Sequence, residues 1–403
     1  MIVGARAILV DARTWVDGGG LLIERGIVRR VLRSRRAVLR ARPGGARWLE
    51  LDGLIVTPGL VDAHAHLDLG GLHGRIPARH GFVPWIRALI RARAGLSRRE
   101  LEHDVRTGAR ALLASGTTAL GDIDASGTSA RLASRLGPRM VVYREVLDAW
   151  NPARTAASLR KVRARLPSRP RVREGLSPHA PYTTSTALLA AVRALAERRG
   201  LPLAIHWAES HEEGRWLRSG ESPLRTLLPP SPRCSGLELL DAAGLLASRT
   251  MLVHGNCPRA GEPELLARRG VTLVHCPGTH AFFARPRFPL ERYRAAGVPL
   301  ALGTDSLASN HVLDMRLEMA LMRASFPRLA PAEVFAMGTE GGARALAQPF
   351  LGHLRRDGAA DLVAWRLAAR SRAAVLEELT AACPPVERVF VAGRELAVQG
   401  SER

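Results

Sequence analysis

Short apolar runs alternate with longer amphipathic stretches along most of the chain. From Gly116 onward the runs are Thr117–Gly121, Met140–Val146, Arg171–Leu176, Pro202–His206, Met251–His254, Val271–His275 and Val298–Gly303. They are rich in aliphatic and β-branched residues and have the length of buried strands. Between them, Leu101–Ser115, Thr186–Arg199 and Pro331–Ala347 repeat apolar residues three and four apart, the period of a helix that buries one face. In the second of these the stripe is Leu188, Leu189, Val192, Leu195 and Ala196, with Arg193 and Glu197 off it. Such alternation predicts a parallel sheet. An earlier run, Leu54–Val56, brings the strands to eight, the number that closes an α/β barrel of the (β/α)8, TIM-like kind.

Two segments break the rhythm. Residues 1–56 hold Gly-punctuated alternating runs such as Ala7–Val10 and Leu21–Val28, and residues 353–403 do likewise in DLVAW and VERVFVAGREL. Neither is long enough for a core of its own. The two ends are therefore expected to meet in one small β-sandwich beside a barrel spanning 57–352.

Composition changes this picture little. With 403 residues and 46% hydrophobic content the chain can bury a large core. A net charge of +22 would suit a nucleic-acid partner. The basic residues are nearly all arginine, Lys161 being the only lysine, and apart from a cluster at Arg29, Arg30, Arg33, Arg35 and Arg36 they are scattered. A solvated arginine-rich surface is expected, with no specific nucleic acid. Cys234, Cys257, Cys276 and Cys383 form no C-x-x-C pair, which suits free thiols in a reducing compartment. The N-terminal apolar runs are too short for a signal peptide, and no run reaches the roughly 18 residues of a membrane span. The expected setting is cytoplasmic, with a small-molecule substrate, no membrane partner, and assembly into a homo-oligomer left open.

Candidate chemistry gathers at the strand ends. His64 and His66, in VDAHAH, lie two apart, so on a strand both imidazoles point to one face and can share an ion. His206 in LAIHWAE, His254 in LVHGN and Asp305 in LGTDS each end a predicted strand. In a (β/α)8 barrel these ends open onto one site, so the five side chains converge there. A donor set rich in nitrogen suits Zn²⁺, or Fe²⁺, over Mg²⁺ or Ca²⁺.

Thr57–His66, His206–Glu209, His254 and Gly303–Ser306 resemble motifs of the amidohydrolase superfamily, in its cytosine-deaminase-like and chlorohydrolase-like branch. The resemblance covers nearly the whole chain, including the split terminal sandwich. It implies that His64, His66, His206 and Asp305 bind the metal. It also implies that Glu209 shuttles protons, while His254 and Asp305 orient the attacking water and polarise the substrate. Two-metal members of the superfamily bridge their ions with a carboxylated lysine at the end of the fourth strand. Lys161 precedes that strand, so one divalent ion is expected. SPHAPY resembles a segment that contacts substrate in adenosine- and S-adenosylhomocysteine-deaminating relatives, which brings His179 to the substrate. Phe82 and Trp85 are placed to stack on a planar heterocycle. HCPGTH puts Thr279 and His280 where the branch usually has Ser-Asn, and His275–Ser309 resembles the aminofutalosine deaminases.

The implied activity is hydrolytic deamination of an amino-purine or nucleoside such as aminodeoxyfutalosine, adenosine or S-adenosylhomocysteine. The same site would also serve a chlorohydrolase or a guanine- or cytosine-type amidohydrolase. An inactive barrel and a nucleic-acid-binding protein are the alternatives outside enzymes.

Overall fold

The computed structural model describes residues 1–41, 47–78 and 81–397. Eight parallel strands form the barrel: β1 (Leu60–Ala65), β2 (Thr117–Asp124), β3 (Arg139–Val146), β4 (Val172–Pro178), β5 (Leu203–Trp207), β6 (Thr250–His254), β7 (Thr272–His275) and β8 (Leu300–Leu302). Each of β1 to β7 pairs in order with the next. The ring closes where the Asp305 N–H donates to the His64 carbonyl (2.8 Å) and the His66 N–H to the Asp305 carbonyl (2.9 Å). The closure is tight: a Cβ on Gly303 would come within 2.9–3.0 Å of the His64 backbone and Cβ. Inward residues Val61, Ala63, Ala119, Ile123, Val141, Tyr143, Ala204, Met251, Val253, Val274 and Ala301 fill the barrel below the site. The aliphatic stripe of helix Thr186–Arg199 packs outside, and that helix runs between a Ser185 cap and a left-handed Gly200 as its periodicity predicts.

Seven strands fall where the hydrophobic pattern puts them, and the first does not. Leu54–Val56 belongs to strand Trp48–Pro58 of the second sheet, and the barrel begins at Leu60. The switch takes one residue. The Gly59 N–H donates to the Asp361 carbonyl beside the second sheet, and the Leu60 N–H donates to the Gly116 carbonyl at the foot of β2. Gly59 must be glycine here, since a Cβ would meet the Thr118 side chain at 2.0–2.6 Å. Pro331–Ala347 also departs from one helix. Pro331–Ala336 passes through a π turn, Met337–Gly341, into Gly342–Ala345. Gly341 and Gly342 there lie against the carbonyls of Leu300 and Val61, too close for any side chain.

The chain ends meet as expected, in one continuous mixed sheet of eight strands. Leu362–Trp365 pairs antiparallel with the end of Trp48–Pro58, which runs parallel to Ile2–Leu9. The sheet encloses its own core, including Val3, Ile8, Leu21, Leu54, Leu362 and Phe390. Among the described residues, no helix is long and apolar enough to cross a membrane.

Candidate metal centre and active site

Strand β1 delivers His64 fully buried. Asp62 anchors it, accepting the N–H of His64 (3.1 Å) together with the N–H (3.1 Å) and hydroxyl (2.6 Å) of Thr304 beyond β8. Two elements that both carry site residues are thus tied by one carboxylate. His206, on β5, sets its Nδ1 2.8 Å from the His179 carbonyl. That nitrogen must therefore carry the hydrogen, which leaves the Nε2 lone pair facing inward. His206 Nε2 lies 3.2 Å from His66 Nε2, and Asp305 Oδ1 lies 3.7 Å from Nε2 of both His64 and His66.

These four side chains fit a divalent cation. Both ring nitrogens of His64 are buried without a partner, a costly state unless a ligand fills it. Burial, reinforced by neighbouring imidazoles, holds His66 and His254 well below the ordinary histidine range and His206 at about 3, so all are neutral donors. Burial opposes charge on Asp305, but His64 and His206 beside it hold its carboxyl below the usual value. The backbone is strained at the same place: Ala208 (φ 50°), His254 (φ 79°) and Asp305 (φ 59°) are all left-handed without being glycine. Such strain persists where the surroundings over-determine it, typically at functional sites.

Glu209 follows the Ala208 bend. Its backbone is fixed by Glu213, which accepts the N–H groups of Ala208 (3.1 Å) and Glu209 (2.9 Å), and by Asn256, whose amide donates to the Glu209 carbonyl (3.0 Å). Glu209 Oε1 sits 3.0 Å from Arg285, and Oε2 sits 3.8 Å from His254 Nε2. Burial pushes the Glu209 carboxyl up to about 8, against the pull of Arg285. It therefore has a basicity suited to taking and returning a proton near neutral pH.

A cavity of about 430 Å³ joins these groups, with His66, His206, Glu209, His254 and Asp305 at its base. Phe82, Trp85 and His179 line it, and the Phe82 and Trp85 rings are nearly parallel (14°, centroids 6.4 Å apart). Thr279 and His280, on helix Pro277–Phe282, are not among the residues lining it. Thr279 reaches Ser309 (3.2 Å), and His280 meets the His275 ring edge-on (72°, centroids 5.2 Å apart) and Asn256 (3.2 Å). The sequence reading also missed three contributors: Arg285, Asn256 and Glu145. Glu145 is a buried cavity-lining carboxylate at the end of β3. The strand-end rule that found His206 could have found Glu145, whereas Arg285 carries no such signal.

Fold and site together define a metal-dependent hydrolase on a (β/α)8 barrel. The chain belongs to the amidohydrolase family, whose model matches residues 55–396. It is a hydrolytic enzyme acting on C–N bonds. Over 376 residues it is 33% identical to a 5-methylthioadenosine/S-adenosylhomocysteine deaminase of Nitratidesulfovibrio vulgaris (strain DP4), covering 89% of this chain and 81% of that one. It is 32% identical over 324 residues to an aminodeoxyfutalosine deaminase of Deinococcus radiodurans, covering 75% and 76% respectively. The crystal structure of an adenosine deaminase from Xanthomonas campestris with bound zinc superposes with a TM-score of 0.81 at 26% identity, covering 99% of this chain and 93% of that one.

Proposed function

We propose that the protein deaminates an adenosine-type nucleoside, with His64, His66, His206 and Asp305 holding one zinc ion. The observation that carries this reading is the placement of Glu209: buried, outside the ligand set, with Oε2 facing His254 at the floor of the cavity those ligands line. The nitrogen-rich donor set suits Zn²⁺ or Fe²⁺, and the zinc in the Xanthomonas structure supports Zn²⁺. When bound, such an ion would act as a Lewis acid that lowers the pKa of water towards neutrality.

The chain's own residues account for the rest. Phe82 and Trp85 receive the flat purine face, and His179 supplies a polar contact at the cavity wall. As a water oxygen bonds to the amidine carbon, Glu209 takes the water's proton and delivers it to the adjacent ring nitrogen. His254, neutral through burial, hydrogen-bonds the adding oxygen. Glu209 then takes the remaining proton of the added hydroxyl and passes it to the exocyclic amine; as that oxygen becomes a carbonyl the C–N bond breaks and ammonia leaves. A six-membered ring with an amidine carbon and a 430 Å³ cavity are matched in scale, since pockets for small ligands begin near 300 Å³. The four free cysteines support a reducing, cytoplasmic setting.

The test is a screen of the zinc-loaded protein for release of ammonia, and of chloride from the chlorinated compounds. Its substrates are adenosine, 5-methylthioadenosine, S-adenosylhomocysteine, aminodeoxyfutalosine, guanine and cytosine nucleosides, and chlorinated triazines. Ammonia from one or more adenine nucleosides is expected. Turnover of a triazine or a cytosine compound alone would overturn the reading.

A further inference from the structure

We propose that Arg285 is a positioning residue for proton transfer, gripping Glu209 by one carboxylate oxygen so that the other faces His254 and the cavity. This rests on the deaminase reading above. Arg285 lies on the loop after helix Pro277–Phe282 and reaches across to Glu209, just beyond the end of β5. Its guanidinium donates to Glu209 twice, through one nitrogen to Oε1 (3.0 Å) and through another to the Glu209 main-chain carbonyl. A planar fork with fixed donor directions thus holds both ends of one residue. Asn256 and Glu213 already fix the Glu209 backbone, so the freedom that Arg285 removes is that of the side chain.

The arginine is itself clamped. Its guanidinium carbon lies 4.6 Å from the Phe283 ring centroid and 5.3 Å from that of Phe82, and its side chain is almost fully buried. Cation–π contacts of this kind strengthen when water is excluded. With Oε1 engaged, the oxygen left to accept and release a proton is Oε2, which fixes the route of transfer. The positive charge also offsets part of the burial penalty on Glu209, which otherwise would hold its proton too firmly to return it. Phe82 belongs to the cavity wall as well, so a purine seated on it presses the side chain that packs Arg285. Substrate binding and placement of the shuttle are mechanically joined.

The test is a double-mutant cycle on the zinc-loaded enzyme with its best nucleoside. Arg285→Met keeps an unbranched stem between Phe82 and Phe283 but removes the fork. It should lower kcat by about 10²-fold, the scale of a small misplacement of a reacting group, with KM and zinc content nearly unchanged. In a Glu209→Gln background the same substitution should cost almost nothing, because there is no shuttle left to place. Arg285→Lys, with a single point donor, should restore part of kcat. A crystal structure of Arg285→Met should show the Glu209 carboxylate turned away from His254. Equal losses in both backgrounds, a rise in KM without loss of kcat, or an unmoved carboxylate would each overturn the proposal. If the wild type deaminates no nucleoside, the functional reading fails. The crystal structure still decides whether Arg285 holds Glu209, as it also does if Arg285→Met loses zinc.

Discussion

At the scale of single residues, Glu209 and His206 separate proton transfer from metal binding. Glu209→Gln keeps the side chain's shape and its contact with Arg285 but cannot take a proton. We expect it to retain zinc and fold while kcat falls by roughly 10²–10⁴-fold, the usual contribution of a general acid–base group. His206→Ala should lose both zinc and activity, since it removes an inward lone pair oriented by the His179 carbonyl. Elemental analysis beside steady-state kinetics checks the pair. A glutamine variant that turns over normally, or one that loses zinc as the alanine variant does, removes Glu209 from its role. His280, packed edge-on against His275, gives a pH test instead. Burial lowers its pKa from 6.5 to about 4. Below pH 6.5 the unfolded chain takes up a proton that the native ring refuses. The associated stability is therefore complete above 6.5 and is lost as pH falls towards 4. His280→Gln lacks this titration. Its deficit against wild type in urea unfolding should shrink between pH 8 and pH 5, and a constant deficit would contradict the assignment.

Elements position these residues, and closure of the barrel is the most demanding step. Gly303 lets the end of β8 lie against β1 beside His64 and Asp305. Gly303→Ala would force a methyl group against backbone atoms of His64, which cannot swing aside as a side chain could. We expect a loss of about 1–3 kcal/mol, seen as a lower Tm, together with weaker zinc retention. A variant as stable and as metal-rich as wild type would show that the strands have slack.

The same scale explains what the sequence made legible. Helix Thr186–Arg199 was readable because its stripe, its Ser185 cap and its terminal Gly200 all agree. His206, His254 and Asp305 were readable because each follows a short apolar strand, and barrel geometry brings such ends together. Leu54–Val56 misled because Trp48–Pro58 and Leu60–Ala65 are both apolar and nearly continuous in sequence. Periodicity cannot say which sheet a buried strand joins; that depended on Gly59 donating one way and Leu60 the other. The π turn was invisible for a related reason, being set by the approach of Gly341 and Gly342 to carbonyls distant in sequence. Arg285 rides a loop in a chain with 59 basic residues, where no single arginine stands out. Motif correspondence alone does not specify which way Thr279 and His280 point on the six-residue helix Pro277–Phe282.

For the whole molecule, charge and metal content are the properties to account for. Many arginines pair with carboxylates of the same chain: Arg139 with Asp361, Arg316 with Asp314, Arg269 with Asp241 and Arg388 with Glu395. That use fits a basic surface dispersed over the fold more than a nucleic-acid track. Metal stoichiometry follows from where the remaining donors lie. Lys161 is exposed on helix Pro152–Arg163, outside the barrel, so it cannot bridge two ions at the end of β4. A second group that could hold an ion, Glu145, His179 and His206, shares His206 with the first. Two ions would compete for one imidazole whose other nitrogen is committed to the His179 carbonyl. We therefore expect about one zinc or iron ion per active chain by elemental analysis. Stripping it with a chelator should abolish turnover and lower Tm, because an ion that binds only the folded state stabilises it by about 2.7 kcal/mol when present at 100 times its Kd. One equivalent of metal should restore both properties, and comparing Zn²⁺ with Fe²⁺ in that titration identifies the ion that supports turnover. Activity that rises until two equivalents are bound would instead require the Glu145 group to hold its own ion, and would return this chain to the two-metal members of its family.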